Sequence, residues 1–166
     1  DGSTEQTGSS VAKVDGLYYD SLADAVAAIE AEGTIELVKD TTLKRQVKIP
    51  DGQNITIDLG AHTVYITTEV TDIQALFENK GNLTIKGGEG AIDISANSFV
   101  STAVENAGSG VLNVISGNII GNARGINVKA GTANISGGSV SNVSAAGDKQ
   151  DAAVYAAGGT KVTISG

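Results

Sequence analysis

Residues 82–88, Asn-Leu-Thr-Ile-Lys-Gly-Gly, alternate apolar and polar side chains and then run into two glycines. Related stretches recur at residues 111–117, 132–138 and 161–166, with shorter versions at 54–59 and 34–37. The second apolar residue of each stretch marks the repeat: Leu37, Ile57, Ile85, Val114, Ile135 and Ile164. Successive markers are 20, 28, 29, 21 and 29 residues apart. Repeats of this length cannot bury a hydrophobic face alone, so they are expected to stack on one another.

Each repeat contains two further apolar segments besides the marker strand. One group comprises Val64, Ile92, Ile119 and Val140, and the other comprises Leu76, Val104, Ile126 and Val154. Three short strands per repeat, with length variation in the turns, predict a β-solenoid of about five to six coils. A leucine-rich repeat is less suitable because its fixed Leu-x-x-Leu-x-Leu signature is absent. Apolar residues such as Leu83 and Ile85 would form inward ladders, while Thr84 between them would point outward.

The N-terminal third begins with a different pattern. Residues 1–10 contain nothing suited to a core and are expected to be a flexible linker or cloning remnant. Residues 11–14 and 17–19 flank Asp15-Gly16, which suits the type I′ turn of a hairpin. Ser21 is a suitable N-cap for a helix over 22–32, with Gly33 as its stop. Residues 11–33 are therefore predicted to cap a β-helix that spans 34–166 and ends in mid-repeat, with its first strands at 34–38, 41–49 and 54–59.

The composition excludes several classes of function. The formal net charge is −8, so the chain is not expected to bind nucleic acid or anionic lipid surfaces. No cysteine is present, which removes disulfides, thiol catalysis and thiolate metal sites. No apolar run approaches the ~20 residues of a membrane helix. The chain has no methionine and begins at Asp1, so we expect a processed or excised segment.

Several of these segments resemble a known family. They are Leu-Tyr-Tyr-Asp-Ser-Leu at 17–22, Thr-Ile-Glu-Leu-Val-Lys-Asp at 34–40, Asn-Ile-Thr-Ile-Asp-Leu-Gly at 54–60 and the His62-Thr63 pair. Together they resemble the N-terminal module of pectin-lyase-like right-handed parallel β-helix proteins, which are common at the surface of Gram-positive gut bacteria. The resemblance covers residues 11–166. It implies a right-handed coil and an extracellular or cell-surface location.

Candidate catalytic residues are few. Enzymes of this fold are expected to cluster carboxylates on adjacent coils, where they hold a cation or act as acid and base. Asp58 and Asp93 lie in neighbouring strands, while Glu78 and Glu105 occupy comparable positions predicted to be two coils apart. Arg124 and Lys129 are the cations of the central coils, and His62 is the only histidine, for which a turn role is favoured. No catalytic constellation, metal site or cofactor is predicted.

A binding surface is predicted where the repeat is interrupted. Residues 144–151 form an insertion in the last long coil, and insertions on one side of a solenoid often carry binding loops. The candidate binding residues are Asp148, Lys149, Gln150, Asp151 and Tyr155. Tyr18, Tyr19 and Tyr65 are further aromatics able to stack on sugar rings, although a structural role is favoured for all four tyrosines.

Two functional hypotheses follow. The first is a non-catalytic extracellular domain of a bacterial surface protein, which acts in adhesion, in carbohydrate binding or as a rigid spacer. Its partner would be an extracellular glycan or a host or cell-surface protein. The alternative is a fragment of a polysaccharide lyase or glycoside hydrolase whose active coils lie outside this segment. Self-association through an open C-terminal coil is a further expectation, because an uncapped coil presents unpaired strand edges.

Overall fold

The computed structural model describes residues 1–144 and 151–166. In this part of the chain one short helix accompanies eighteen β-strands. The elements, in chain order, are β1 (Ala12–Val14), β2 (Leu17–Tyr19), α1 (Leu22–Ala27), β3 (Glu32–Leu37), β4 (Thr41–Leu43), β5 (Val47–Ile49), β6 (Asn54–Asp58), β7 (Thr63–Ile66), β8 (Ala75–Asn79), β9 (Asn82–Lys86), β10 (Ala91–Asp93), β11 (Thr102–Asn106), β12 (Val111–Val114), β13 (Asn118–Gly121), β14 (Arg124–Val128), β15 (Thr132–Ile135), β16 (Ser139–Asn142), β17 (Ala152–Ala156) and β18 (Lys161–Ile164).

Strands in equivalent positions of successive coils pair in parallel to form three sheets. Sheet A contains β3, β6, β9, β12, β15 and β18; sheet B contains β4, β7, β10, β13 and β16; sheet C contains β5, β8, β11, β14 and β17. The chain visits sheets A, B and C in turn, so it winds through five coils of three strands and adds β18. The fold is all-β, a parallel β-helix, and the predicted number of coils is confirmed.

The register of the sheets follows most of the predicted repeat markers. Five of them form one aligned column in sheet A: Ile57, Ile85, Val114, Ile135 and Ile164. The first marker is wrong, because Ile57 pairs with Ile35 and not with Leu37. A shift of two residues leaves a side chain on the same face of a strand, so alternation alone does not distinguish the two registers. In sheet C, Phe77 rather than Leu76 lies opposite Val104.

The core is a stack of aliphatic ladders. In β9 and β12 the residues Leu83, Ile85, Leu112 and Val114 are fully buried, and Thr84 between the first two is partly exposed. This confirms the predicted inward and outward alternation. Burying such ladders is the main stabilising term for the fold, at about 25 cal/mol for each Å² of apolar surface removed from water.

Two asparagines are fully buried at the turn from sheet C to sheet A. Asn79 and Asn106 lie in register on β8 and β11, and the Nδ2 of Asn79 donates to the Oδ1 of Asn106 over 2.8 Å. The Nδ2 of Asn106 donates to the carbonyl oxygens of Gly110 and Ala130. The carbonyl oxygen of Gly110 also accepts from the backbone N–H of Thr132, whereas for that of Ala130 the amide of Asn106 is the donor, so these amides supply hydrogen bonds that a buried turn requires.

The N-terminal cap contains the predicted hairpin. β1 and β2 pair antiparallel, and Asp15 and Gly16 both have positive φ, at 48° and 83°, as a type I′ turn requires. β1 also pairs antiparallel with β3 and so covers the first edge of sheet A.

The helix begins as predicted but ends earlier. The Oγ of Ser21 accepts from the backbone N–H of Asp24, and the helix stops at Ala27 instead of continuing to residue 32. The carbonyl oxygen of Ala31 accepts from the N–H of Asn54, and Glu32 already pairs with Asn54 in sheet A. Pairing with the second coil therefore replaces the last predicted helical turn.

Two further segments have contacts or breaks that the pattern did not predict. Residues 41–49 form two strands, because the chain turns at 44–46 from sheet B to sheet C. In the first ten residues, Ser3 forms an antiparallel bridge with Tyr18, and Ser10 is buried.

Candidate functional site

Five polar or aromatic residues form a straight row on the outer face of sheet C. They come from equivalent positions of β5, β8, β11, β14 and β17 and lie opposite one another in register: Lys48, Glu78, Glu105, Asn127 and Tyr155. Their strand neighbours Phe77, Val104 and Ile126 are buried in the core, so the row faces outward. We call these five residues the sheet C row.

Two carboxylates lie side by side in this row. Glu78 and Glu105 are directly opposite each other on adjacent coils, so the prediction that they are two coils apart is wrong. The Nζ of Lys80 lies 3.7 Å from Glu78 and the Nζ of Lys129 lies 3.6 Å from Glu105. Like charges opposite each other in a sheet repel, and these two lysines reduce the repulsion. The side chain of Glu105 is only 8% exposed, against 21% for Glu78.

The next two residues of the row are an amide and an aromatic ring. Asn127 is 5% exposed, and its Oδ1 accepts no hydrogen bond from the described part of the chain. Tyr155 lies beside it on β17. The guanidinium carbon of Arg124 is 4.4 Å from the centre of the Tyr155 ring, which is within the range of a cation–π contact. The row thus places two acceptor carboxylates, an amide oxygen without a partner and an aromatic ring on one line.

Two of the five predicted binding residues lie in the described part of the chain. Tyr155 belongs to the sheet C row, and Asp151 is partly exposed just before β17. Asp148, Lys149 and Gln150 lie outside the described residues. The place of Asn127 in the row was not predicted, because an Asn between apolar residues of a strand has no distinguishing sequence signal.

The other candidate carboxylates are dispersed. Asp58 lies on sheet A, 3.7 Å from the Nζ of Lys86, and Asp93 lies on sheet B opposite Tyr65. Within residues 1–144 and 151–166, no group of three or more His, Cys, Asp or Glu side chains is arranged to hold a metal ion.

The only histidine lies in a turn between sheets A and B. The Nδ1 of His62 is 3.6 Å from the Oδ1 of Asp40, and the same oxygen accepts from the N–H of Thr63 over 2.8 Å. The contact joins the first and second coils. Asp40 therefore links this turn to the preceding coil, which agrees with the turn role predicted for His62.

The tyrosines do not form a common platform. Tyr18 and Tyr19 lie on β2 in the hairpin, Tyr65 on sheet B and Tyr155 on sheet C. Of the four, Tyr155 is the one in the sheet C row, where it lies opposite Asn127. A sugar-stacking role is therefore best supported for Tyr155.

In the described residues no helix is long and apolar enough to cross a membrane. Comparison with family models, with curated proteins and with solved structures gives no match. The functional argument therefore depends on the residues of this chain.

Proposed function

We propose that the chain is a non-catalytic, extracellular module of a bacterial surface protein and that it binds carbohydrate through the sheet C row. The observation that supports this proposal is the alignment of Glu105, Asn127 and Tyr155 on successive coils. Sugar-binding sites combine an aromatic face for the apolar side of a ring with carboxylate and amide groups for its hydroxyls. The pectin-lyase-like resemblance and a Gram-positive surface location are part of the same proposal.

The β-helix suits such a role because it presents side chains at fixed spacing. The strands of Glu78, Glu105 and Asn127 pair on both sides, and that of Tyr155 pairs with β14, so little backbone entropy is lost when a ligand binds. A rigid spacer would need only the stack, and it would not require a carboxylate, an amide and an aromatic ring in register on one face.

The alternative is that the chain is a fragment of a polysaccharide lyase or glycoside hydrolase. Adjacent carboxylates such as Glu78 and Glu105 are the observation that favours it, because retaining glycosidases place their two carboxyl groups about 5–5.5 Å apart. Each of these carboxylates is engaged by a lysine, and this arrangement favours an electrostatically paired surface over a free acid and base.

A glycan array probed with the whole chain tests the proposal. We expect binding to a restricted set of glycans, and we expect Tyr155→Ala to reduce it by about tenfold or more, as loss of a stacking contact does. Tyr65→Ala, on sheet B, is the matched control and should bind as the parent chain does. Equal binding by Tyr155→Ala, or no binding of the parent chain to any glycan, would overturn the proposal.

The same glycans distinguish the module from an enzyme fragment. Each bound polysaccharide is incubated with the chain, and new reducing ends and unsaturated uronate products are measured. We expect neither. Turnover that disappears in Glu105→Gln would support the hydrolase alternative.

A further inference from the structure

The N-terminal cap leaves one of the three sheet edges uncovered. Strand β1 pairs with β3 at the edge of sheet A, and α1 packs against β5 at the edge of sheet C. At the edge of sheet B, β4 pairs only with β7 in the described part of the chain, and no backbone hydrogen bond joins β4 to α1. A strand edge of this kind presents backbone N–H and C=O groups with which a further strand can pair.

The free backbone groups of this edge belong to Thr42. The carbonyl oxygen of Leu43 accepts from the N–H of Thr67 over 2.9 Å, so the backbone groups of Leu43 point toward β7. Successive residues of a strand direct their backbone groups to opposite edges, so the N–H and C=O of Thr42 point away from β7. A parallel strand on the free edge would bond to both of these groups, one through a carbonyl oxygen and one through an N–H.

The apolar interior is also incompletely covered next to β4. Leu43 and Ile66 are register partners at inward-facing positions of sheet B, yet Ile66 is buried and Leu43 is partly exposed. A cleft of about 400 Å³ separates this segment from the start of α1, and Leu22 and Val47 line it together with Leu43. A strand added to β4 would place an apolar side chain against Leu43, so a single ligand could occupy both the edge and the cleft.

The charged residues of the cleft favour one direction for such a strand. Lys44 and Arg45 follow β4 directly and are exposed, and Asp20 and Asp24 line the opposite wall. A peptide parallel to β4 would end where β4 ends, so its C-terminal carboxylate would lie beside the two cations. An antiparallel peptide would bring its N-terminal end there instead. The two aspartates disfavour further acidic side chains in the peptide.

We propose that the free edge of sheet B at β4 binds the extended C-terminal segment of a partner protein. The segment adds to β4 as a parallel strand, in the manner of peptides that extend an exposed sheet edge. Its last residue is apolar, lies against Leu43 and donates its N–H to the carbonyl oxygen of Thr42. Its terminal carboxylate lies beside Lys44 and Arg45. This site is separate from the sheet C row and does not depend on carbohydrate binding.

Fluorescence anisotropy with the whole chain and labelled pentapeptides tests the site. The probes have the sequence Lys-Ser-Val-Thr followed by Val, Leu or Ser, each with a free C-terminal carboxylate. Two further versions of the Val peptide carry a C-terminal amide or a methyl group on the last backbone nitrogen. We expect the Val and Leu peptides to bind more tightly than the Ser peptide. Amidation should weaken binding about threefold, and methylation, which removes one hydrogen bond, about tenfold. No binding of any peptide, or equal binding of all, would overturn the proposal.

Two substitutions of Thr42 test the backbone contact. Thr42→Pro removes an N–H that does not pair with β7, so the chain should still fold with a melting temperature close to that of the parent. Its affinity for the Val peptide should fall about tenfold or more. Thr42→Val keeps the backbone groups and should bind as the parent does. Equal affinity of the two variants would contradict strand addition.

A double variant tests the charge contact and decides alone if Thr42→Pro does not fold. Lys44→Ala combined with Arg45→Ala should bind the free and the amidated Val peptides equally. Lys86→Ala combined with Lys161→Ala removes the same charge from sheet A and should keep the preference for the free carboxylate. A preference that persists in the first double variant would overturn the assigned carboxylate position. Tyr155→Ala should bind these peptides as the parent does, so this result is independent of the outcome of the glycan array.

Discussion

Glu78 and Glu105 face each other across the parallel strands β8 and β11, and each carboxylate has its own lysine partner. The two pairs differ in burial, since the side chain of Glu105 is 8% exposed and that of Glu78 is 21% exposed. The cation beside Glu105 therefore has less competition from water, and the two ion pairs should contribute unequally to stability.

The first prediction concerns these two lysines. Lys129→Met should lower the free energy of unfolding by about 1 kcal/mol, because it leaves a largely buried carboxylate opposite a second one. Lys80→Met is the matched control, and its effect should be smaller because Glu78 is better solvated. Urea denaturation at low salt measures both. Equal losses, or no loss in either variant, would show that the lysines do not offset the repulsion.

The second prediction concerns the buried asparagines. Asn106→Ala should lower the free energy of unfolding by about 3 kcal/mol, because it removes a buried side chain together with three of its hydrogen bonds. The carbonyl oxygen of Ala130 loses its donor, that of Gly110 keeps only the N–H of Thr132, and the Nδ2 of Asn79 keeps only the carbonyl oxygen of Val111. Asn113→Ala, at a partly exposed position of sheet A, should lose only about 0.5 kcal/mol. Thermal unfolding followed by circular dichroism distinguishes the two, and similar melting temperatures would contradict this assignment.

The third prediction separates backbone strain from steric overlap. Gly131 and Gly159 both have positive φ, at 74° and 84°. A Cβ on Gly131 would overlap the carbonyl oxygen of Gly110, whereas a Cβ on Gly159 would have no atom within 4 Å. Gly159→Ala should therefore lower the free energy of unfolding by about 1 kcal/mol, because only the left-handed backbone conformation is unfavourable there. Gly131→Ala should lower the free energy of unfolding by more than about 3 kcal/mol. Denaturant titration measures both variants, and coincident unfolding midpoints would refute this account.

The fourth prediction tests self-association. Ile164 on β18 is 69% exposed, whereas Ile135, its register partner on β15, is 8% exposed. β18 pairs on one edge only. If copies associate through this edge, sedimentation should show dimers that increase with protein concentration, and Ile164→Lys should abolish them. A monomer at every concentration would reject this expectation.

The repeat could be predicted because its signal is a periodicity, and Ile57, Ile85 and Val114 align as the markers indicated. The register of a strand could not be predicted where only the contact with its pairing partner decides it. Leu37 and Ile35 lie on the same face of β3, so only contact with β6 distinguishes them. The early end of α1 has a similar cause, because residues 31 and 32 pair with the second coil.

The candidate site was less predictable than the fold. Tyr155 was identified because it lies close to an insertion, and Glu105 because it is charged. That both belong to one row became apparent only from the strand register, since Glu105 and Tyr155 are 50 positions apart in sequence but only two coils apart in the stack. Asn127 has no distinguishing signal in the sequence. Its burial and its missing donor are properties of the stack.

The parallel stacking of the coils also determines how the molecule would respond to a pulling force. The hydrogen bonds between successive strands run along the axis, from the β1–β2 hairpin at one end to β18 at the other. Tension between the two ends would therefore act on the hydrogen bonds of one coil at a time, starting from an end of the stack. A chain pulled between these two ends would lengthen coil by coil at low force and absorb mechanical work as each coil opened.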